Sequence, residues 1–234
     1  MPKTAGREKA SLRSSLSPAQ QDYVKALYQL RREGCTVTTS ELSEGLGVSA
    51  ASAVQMLAKL TAMGLATHDR YHGAGLTRSG EAVALEMIRH HRLIEMYLAE
   101  ALGYNWDEVH EEAERLEHHI SERMEERIFH LLGRPAIDPH GDPIPTRGGE
   151  LRGQRYRPLS ESRAGERLVV RRVSDREPDK LRELARLGLT LGTEVEIVGE
   201  SRFEGPVSIR VAGRPRSLRV PLGIARIVFL EAAA

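Results

Sequence analysis

Apolar residues recur at helical spacing over most of residues 18–132 and at alternating spacing after residue 166. Apolar residues three and four positions apart line one face of a helix, whereas alternation places every second side chain on one face of a sheet. The pattern therefore predicts a mainly α protein with a small β domain at its C-terminal end.

Three short helices are predicted in the first 64 residues. Each begins at a residue that can cap a helix N-terminus, namely Ser17 before a proline, Thr38 in a capping box, and Ser49. The next residues, 65–76, alternate around glycines as a hairpin does, and three helices followed by a hairpin form a winged helix-turn-helix. The helices are predicted over about 18–32, 39–46 and 50–63.

Two longer amphipathic helices are predicted next, over about 77–101 and about 105–132. In the second of them the apolar residues are spaced by threes and fours along its whole length. Two consecutive amphipathic helices need a partner surface, and for a small N-terminal unit the expected partner is a second copy of the chain. We therefore expect a homodimer.

The composition changes twice in the remaining residues. Prolines, glycines and arginines dominate 133–164, which predicts an extended linker. Period-two patterning then predicts a small SH3-like β-barrel with one helix. Its strands are predicted over 168–173, 194–198, 207–211, 218–220 and 224–229, and its helix over 178–187.

These elements divide the chain into five segments. They are a basic tail (1–16), a winged helix-turn-helix domain (17–77), a dimerisation domain (78–133), a linker (134–164) and an SH3-like domain (165–231).

Composition narrows the class of protein. No apolar stretch in the 234 residues approaches the roughly 20 residues that span a bilayer, the N-terminus lacks the apolar region of a secretory signal, and a single cysteine, Cys35, permits neither an internal disulfide nor a cysteine zinc cluster. We therefore expect a cytoplasmic protein without a membrane partner.

Charge is distributed unevenly along the chain. Residues 1–80 have 10 Lys and Arg against 6 Asp and Glu, residues 81–132 have 5 against 13, and residues 133–234 have 19 against 14. Six of the nine histidines lie in the acidic central block. Carboxylates and imidazoles gathered there indicate binding of a hard divalent cation, and the basic flanks indicate a polyanionic partner.

The last predicted long helix contains a candidate ligand stripe. His110, Glu114, Glu117 and His118 are spaced to share one helix face, and His91 and Glu95 have the same four-residue spacing on the preceding helix. If the two helices pack antiparallel, both sets can meet at a metal ion. The alternative is a solvated helix face with Glu–Arg pairs, which is common in such sequences.

The third helix has the composition of a recognition helix. Gln can bond adenine through two hydrogen bonds, Ser can reach a base edge or a phosphate, and an Ala methyl can contact thymine. The alternative is that these polar residues merely coat an exposed helix. The predicted DNA-contacting residues are Thr38, Thr39, Ser49, Ala51, Ser52, Gln55, Lys59 and Arg70.

No enzymatic activity is predicted. His110-Glu111-x-x-Glu114 resembles the first half of a zincin helix, but that motif needs a second histidine where Glu114 stands. A catalytic water also needs an open coordination position, which the additional candidate ligands would fill. We therefore expect no small-molecule substrate.

Three segments resemble the diphtheria toxin repressor family of metal-dependent transcriptional regulators, in particular its manganese-responsive members. They are HHRLIEMYLAEALGYNWDEVHEEAERLEHHIS, PHGDPIP and LGLTLGTEVEIV, and the resemblance extends over about residues 17–231. It implies a primary metal site at Asp22, Glu114, Glu117 and His118, and a second site at His91, Glu95 and His110.

The resemblance also implies the metal. Iron-type members have methionine and cysteine where this chain has Asp22 and Glu114, so the chain resembles the manganese type, with Fe²⁺ as the alternative cofactor. Some manganese regulators have a glutamate in place of Lys25 and bind two ions there. The C-terminal domain is expected to complete the second site through Glu177, or through Asp179, because the position of its other ligand matches Lys180.

The sequence thus predicts an Mn²⁺-dependent, homodimeric repressor that binds a palindromic DNA operator, with residues 17–77 as its DNA-binding domain and residues 78–133 as its metal-binding and dimerisation domain. The resemblance implies that it controls manganese-uptake genes. Two alternatives remain: a winged-helix regulator that responds to a small organic effector, and an iron-responsive repressor.

Overall fold

A computed structural model describes residues 12–32, 37–69, 73–151, 153, 155–201 and 204–233. Within these residues no helix combines the length and apolarity needed to cross a membrane. The chain divides into two compact units. The first comprises residues 1–91, 115–127 and 145–151, and the second comprises 92–114, 128–144 and 152–234.

The first unit begins with the predicted helix-turn-helix and hairpin. Ser17 and Gln20 cap the first helix reciprocally, with Gln20 N donating to Ser17 Oγ and Ser17 N donating to Gln20 Oε1. The capping box of Thr38 and Glu41 is also present. The elements are α1 (Pro18–Arg32), α2 (Thr39–Leu46), α3 (Ala50–Ala62), β1 (Ala66–Asp69) and β2 (Gly73–Leu76).

A single apolar core holds these elements together. Leu27, Leu42, Leu57, Leu60 and Leu65 are fully buried in it, so the apolar faces of α1, α2 and α3 converge as their periodicity requires. The strands β1 and β2 pair antiparallel. The winged helix-turn-helix prediction is therefore confirmed.

Three helices follow the hairpin where the sequence predicted two. They are α4 (Arg78–Leu102), α5 (Val109–Leu116) and α6 (Glu122–Leu131). The prediction of one continuous helix over 105–132 is wrong, because residues 117–121 form a turn. Ser121 restarts the helix by accepting a hydrogen bond from Met124 N at its hydroxyl.

The second unit contains a six-stranded antiparallel sheet. Its elements are β3 (Arg157–Pro158), a 3₁₀ turn (Leu159–Glu161), β4 (Arg167–Val173), α7 (Pro178–Leu187), β5 (Glu194–Gly199), β6 (Val207–Val211), β7 (Leu218–Val220), α8 (Leu222–Ala225) and β8 (Val228–Ala232). The strand order is β3-β8-β4-β5-β6-β7. The edge strands do not pair, so the described residues form an open SH3-like sheet and not the closed barrel that was expected.

The strand predicted over 224–229 is only partly correct. Residues Leu222–Ala225 form a helical turn, and the strand begins at Val228. Ile224 and Ala225 are buried in the apolar core of the sheet together with Val228 and Leu230. Because both the helical turn and the strand are buried, this stretch of the sequence is apolar without regular alternation.

The prediction of an extended linker over 134–164 is wrong for residues 137–143, which form a compact buried turn. Asp138 Oδ1 accepts hydrogen bonds from the backbone N–H groups of His140 and Asp142, each at 2.9 Å. Gly141 has a φ of +88°, and a Cβ there would lie 2.1 Å from Arg171 O. Only glycine fits this close approach to β4, so the turn is held in one place.

Candidate metal centre

Three of the four predicted primary-site residues come together in the first unit. Asp22 lies on α1, and Glu117 and His118 lie in the turn after α5. His118 Nε2 is 3.0 Å from Asp22 Oδ1 and 3.9 Å from Glu117 Oε1. One ligand atom from each residue lies within 4.8 Å of the others. Because the helix ends at Leu116, this grouping depends on the turn and not on a helical stripe.

Lys25, one turn after Asp22 on α1, already binds one member of this cluster. Its Nζ donates to both carboxylate oxygens of Glu117, at 2.8 and 2.9 Å. His91 Nδ1 lies 2.6 Å from Glu117 Oε2 and 3.4 Å from Lys25 Nζ. The ammonium group therefore contacts both Glu117 and His91, which also contact each other, and Glu117 Oε1 lies near both Lys25 and His118.

Burial and charge set the ionisation of these groups. Burial alone raises the pKa of Glu117, but the hydrogen bond from His91 and the charge of Lys25 outweigh it and lower that pKa to about 2. The hydrogen bond with Asp22 raises the pKa of His118, although burial opposes it. Glu117 is thus held as a carboxylate, and the His118 proton lies where a cation would bind.

The remaining primary-site residue, Glu114, lies in the second unit, in the last turn of α5. Its carboxylate is 3.9 Å from His110 Nε2. The solvated-face alternative fails for part of the stripe, because Glu117 is fully buried and a fully buried carboxylate needs a cation or hydrogen-bond donors.

A second cluster of potential ligands lies within the second unit. His110 Nδ1 is 3.2 Å from Glu95 Oε1 on α4 and 3.1 Å from Asp175 Oδ2 in the loop after β4. Burial lowers the pKa of His110, but the hydrogen bonds with Asp175 and Glu95 outweigh it and raise that pKa to about 10. Glu95 and His110 therefore lie close together, and His91 lies one turn before Glu95 on α4.

Two members of the buried turn extend this second cluster, and sequence reasoning missed both. The ligand atoms of Asp138, His140 and Glu95 lie within 4.8 Å of one another, and all three residues are buried. His140 Nε2 lies 2.7 Å from Trp106 O, and because a carbonyl only accepts, Nε2 is the protonated nitrogen. Its Nδ1 has no hydrogen-bond partner among the described residues and is 3.9 Å from Glu95 Oε1.

The structure corrects the ligand expected from the C-terminal domain. The Glu177 carboxylate pairs with Lys180, and the Asp179 carboxylate pairs with Arg182 and is 93% exposed. Asp175, two residues before Glu177, contacts His110 instead. The sequence offers acidic residues at all three positions, and only the path of the loop selects Asp175.

The predicted DNA-contacting residues of α3 share an exposed face. Ala51, Ser52, Gln55 and Lys59 are exposed, whereas Ala53, Leu57 and Leu60 of the same helix are buried. Ser49 caps α3, and its hydroxyl is 2.8 Å from that of Ser52. Thr38 is exposed and caps α2, and Thr39 is half-buried. Arg70 and Cys35 lie outside the described residues.

The first unit combines a winged helix-turn-helix, whose α3 has an exposed polar face, with a cluster of two carboxylates and an imidazole. This combination defines the class of protein as a DNA-binding protein with a metal site.

Three family models match consecutive parts of the chain. They describe the iron-dependent repressor N-terminal DNA-binding domain (residues 15–74), the iron-dependent repressor metal-binding and dimerisation domain (77–146) and the FeoA domain (157–232).

Relatives of known function agree with this match. The iron-dependent repressor IdeR of Mycobacterium tuberculosis is 36% identical over 123 residues, which cover 53% of this chain and 54% of that protein. The chain therefore spans about half the length of IdeR. The diphtheria toxin repressor of Corynebacterium efficiens is 31% identical over 188 residues, which cover 76% of this chain and 82% of that protein.

Solved structures include two close matches. One is described as a manganese-dependent transcriptional repressor in complex with manganese, with a TM-score of 0.86, 36% identity, and coverage of 92% of this chain and all of that one. The manganese regulator SloR has a TM-score of 0.76, 31% identity, and coverage of 93% and all of that chain. The chain belongs to the diphtheria toxin repressor family of metal-dependent transcriptional regulators.

Proposed function

We propose that this protein is an Mn²⁺-dependent repressor that binds a DNA operator as a homodimer in the cytoplasm and controls manganese uptake. The observation that supports this most is the cluster of Asp22, Glu117 and His118. It joins α1 of the DNA-binding fold to the turn between α5 and α6. Binding one cation to all three residues would hold these two parts of the first unit in a single arrangement.

The chemistry of the donors fits a hard divalent cation. Two carboxylates and one imidazole supply oxygen and nitrogen ligands, and the described part of the cluster has no thiolate or thioether. When bound, the ion would supply positive charge and fix the geometry of its ligands, and no substrate reacts. Glu117 remains ionised, His118 gives up its Nε2 proton, and Asp22 closes the site from α1.

The position of Lys25 favours a single metal ion at the primary site over a binuclear centre. Its ammonium group contacts both Glu117 and His91 and neutralises a carboxylate that a second ion would otherwise bind. We infer one ion at the primary site. The second cluster, with Glu95, His110, Asp138, His140 and Asp175, is the proposed site of another ion, since the lone pair of the fully buried His140 Nδ1 faces its carboxylates.

The proposed homodimer follows from apolar residues left exposed on the helices. Leu116 on α5 and Met124 on α6 are 38% and 47% exposed in the first unit, and Leu131 on α6 is 69% exposed in the second. Large exposed apolar side chains are typical of a surface that a partner covers. In a two-fold dimer, two α3 helices about one DNA turn apart (roughly 34 Å) would favour a palindromic operator.

The proposed function is tested by operator binding at controlled metal concentration. An operator is selected from a randomised DNA pool with Mn²⁺ present, and its binding is then titrated with Mn²⁺, with Fe²⁺ and with chelator. We expect binding to require a divalent ion and to respond to Mn²⁺. Equal binding in chelator would contradict the proposal and favour an organic effector, and a response to Fe²⁺ alone would favour the iron-responsive alternative.

The recognition face predicts different roles for Gln55 and Lys59. We expect Gln55→Ala to relax base preference at one operator position at a cost of about 1–3 kcal/mol. Lys59→Ala removes a charge near the phosphates, so it should weaken binding to all sequences and reduce the salt slope by about one. Binding of single-base operator variants at several salt concentrations measures both. A uniform loss in Gln55→Ala would show that Gln55 does not contact a base.

The ligand set predicts the order in which metals activate the protein. Mn²⁺ is the weakest binder of the divalent series, so selectivity must arise from geometry and not from affinity. We expect Asp22→Met to shift activation toward Fe²⁺ or Co²⁺, because a soft thioether replaces a hard carboxylate. Operator binding against free concentration of each metal provides the measurement. An unchanged order would mean that Asp22 does not determine selectivity.

A further inference from the structure

Gln21 is a buried side chain that contacts the proposed metal centre without offering it a ligand of its own. It precedes Asp22 on α1 and is 3% exposed. Its Oε1 lies 2.8 Å from His118 Nδ1. Its Nε2 lies 3.0 Å from Arg13 O and 3.2 Å from Leu16 O. Every polar atom of the side chain therefore has a partner inside the first unit.

These contacts determine which nitrogen of His118 bears a proton. The carbonyl groups of Arg13 and Leu16 can only accept hydrogen bonds, so the Gln21 –NH₂ group must face them. Gln21 Oε1 then faces His118 and must accept, which makes Nδ1 the donor. When the imidazole is neutral, the lone pair is on Nε2, the nitrogen that lies 3.0 Å from Asp22.

The Gln21 amide group also hydrogen-bonds to a backbone segment, residues 12–16, that other contacts hold in place. The Arg13 side chain is buried, with Nε 2.7 Å from Glu86 Oε1 and Nη2 3.4 Å from Ile120 O. Leu16 is also buried, and its N–H donates to Arg13 O. Residues 12–16 therefore form a fixed support for Gln21, and Gln21 in turn fixes the imidazole.

We propose that Gln21 is a positioning residue that holds His118 with Nε2 presented to Asp22 and links this ligand to residues 12–16. The proposal rests on the proposed function, in which His118 binds the metal. Hydrogen-bond partners of a ligating imidazole typically change metal affinity by about 10–100-fold when they are removed. Because linkage is reciprocal, loading the site should also strengthen the attachment of residues 12–16.

The test compares Gln21→Met with Gln29→Met, the same change at an exposed position of α1. In the metal-free protein, at a pH where the His118 imidazole is neutral, ¹⁵N NMR of labelled histidines reports the His118 tautomer. Mn²⁺ affinity is measured by titration calorimetry. We expect Gln21→Met to lose the pure Nδ1-protonated form of His118 and to weaken Mn²⁺ binding about 10–100-fold, whereas Gln29→Met changes neither.

A second variant separates the two contacts. Gln21→Glu keeps an acceptor for His118 but loses both donors to residues 12–16. We expect the tautomer to persist while hydrogen exchange of the Leu16 amide accelerates. If Gln21→Met keeps the parent tautomer and an Mn²⁺ affinity within twofold of the parent, or if Gln21→Glu leaves the Leu16 amide unaltered, the proposal is overturned. Failure of Mn²⁺ to promote operator binding by the parent would instead reject the proposed function, and the tautomer in the metal-free variants would still decide the role of Gln21.

Discussion

Asp22→Ala is expected to fold and to dimerise normally but to lose the stimulation of operator binding by Mn²⁺. Asp22 is the member of the primary cluster that lies on α1, and its carboxylate is 38% exposed, so truncation should cost little stability. Without it the ion contacts only the turn at Glu117 and His118 and no longer holds α1. A coupling of about 1–3 kcal/mol between metal and DNA should therefore disappear.

This expectation is checked by operator binding with Mn²⁺ and with chelator, in parallel with size-exclusion chromatography. Asp179→Ala is a matched control, because it removes an exposed carboxylate that the structure separates from His110. We expect the control to retain the full response to Mn²⁺. Full stimulation in Asp22→Ala would remove Asp22 from the primary site.

Lys25→Met is expected to destabilise the metal-free protein and to strengthen Mn²⁺ binding. Removing one partner of a buried ion pair typically costs about 3–5 kcal/mol, because the fully buried Glu117 keeps its charge without the ammonium group that neutralised it. In a protein of this size such a loss lowers the melting temperature by about 10 °C. Loss of the Lys25 ammonium group also removes a positive charge that repels a divalent ion, so Mn²⁺ affinity should rise.

Thermal unfolding with and without Mn²⁺, together with calorimetric titration, measures both effects. Lys59→Met, at an exposed lysine of α3, should leave the melting temperature and the metal affinity nearly unchanged. A metal-free Lys25→Met protein as stable as the parent would contradict a neutralising role for Lys25. Weaker Mn²⁺ binding by this variant would show that Lys25 supports the site and does not compete with the ion.

Local signals in the sequence were sufficient for the helix-turn-helix. Its caps at Ser17, Thr38 and Ser49 involve partners within three residues, and its apolar faces repeat at helical spacing. The α7 helix was equally predictable, since it begins at Pro178 and ends before Gly188, a glycine with positive φ. The residue types of the primary cluster, two carboxylates and a histidine, also indicated a hard cation.

Only the tertiary structure decided how the ligands are grouped. The turn at 117–121 interrupts an apolar pattern that continues in phase from α5 to α6, so periodicity could not locate it. Asp138 and His140 lie in a proline-rich stretch whose composition favours a linker, and their burial depends on the fit of Gly141 against β4. Asp175, Glu177 and Asp179 are all acidic, and only the path of the chain after β4 brings Asp175 to His110.

The chain by itself therefore indicated most of its helices, the polar face of α3 and a hard divalent cation as the ion that its candidate ligands suit. These properties depend on residue type and on neighbours within one or two turns. The tertiary structure decided that Lys25 neutralises Glu117, that Asp175 meets His110, and that Gln21 orients His118. Each of these contacts joins residues at least 65 positions apart, and the partner in such a pair depends on the packing of whole elements, which local spacing does not encode.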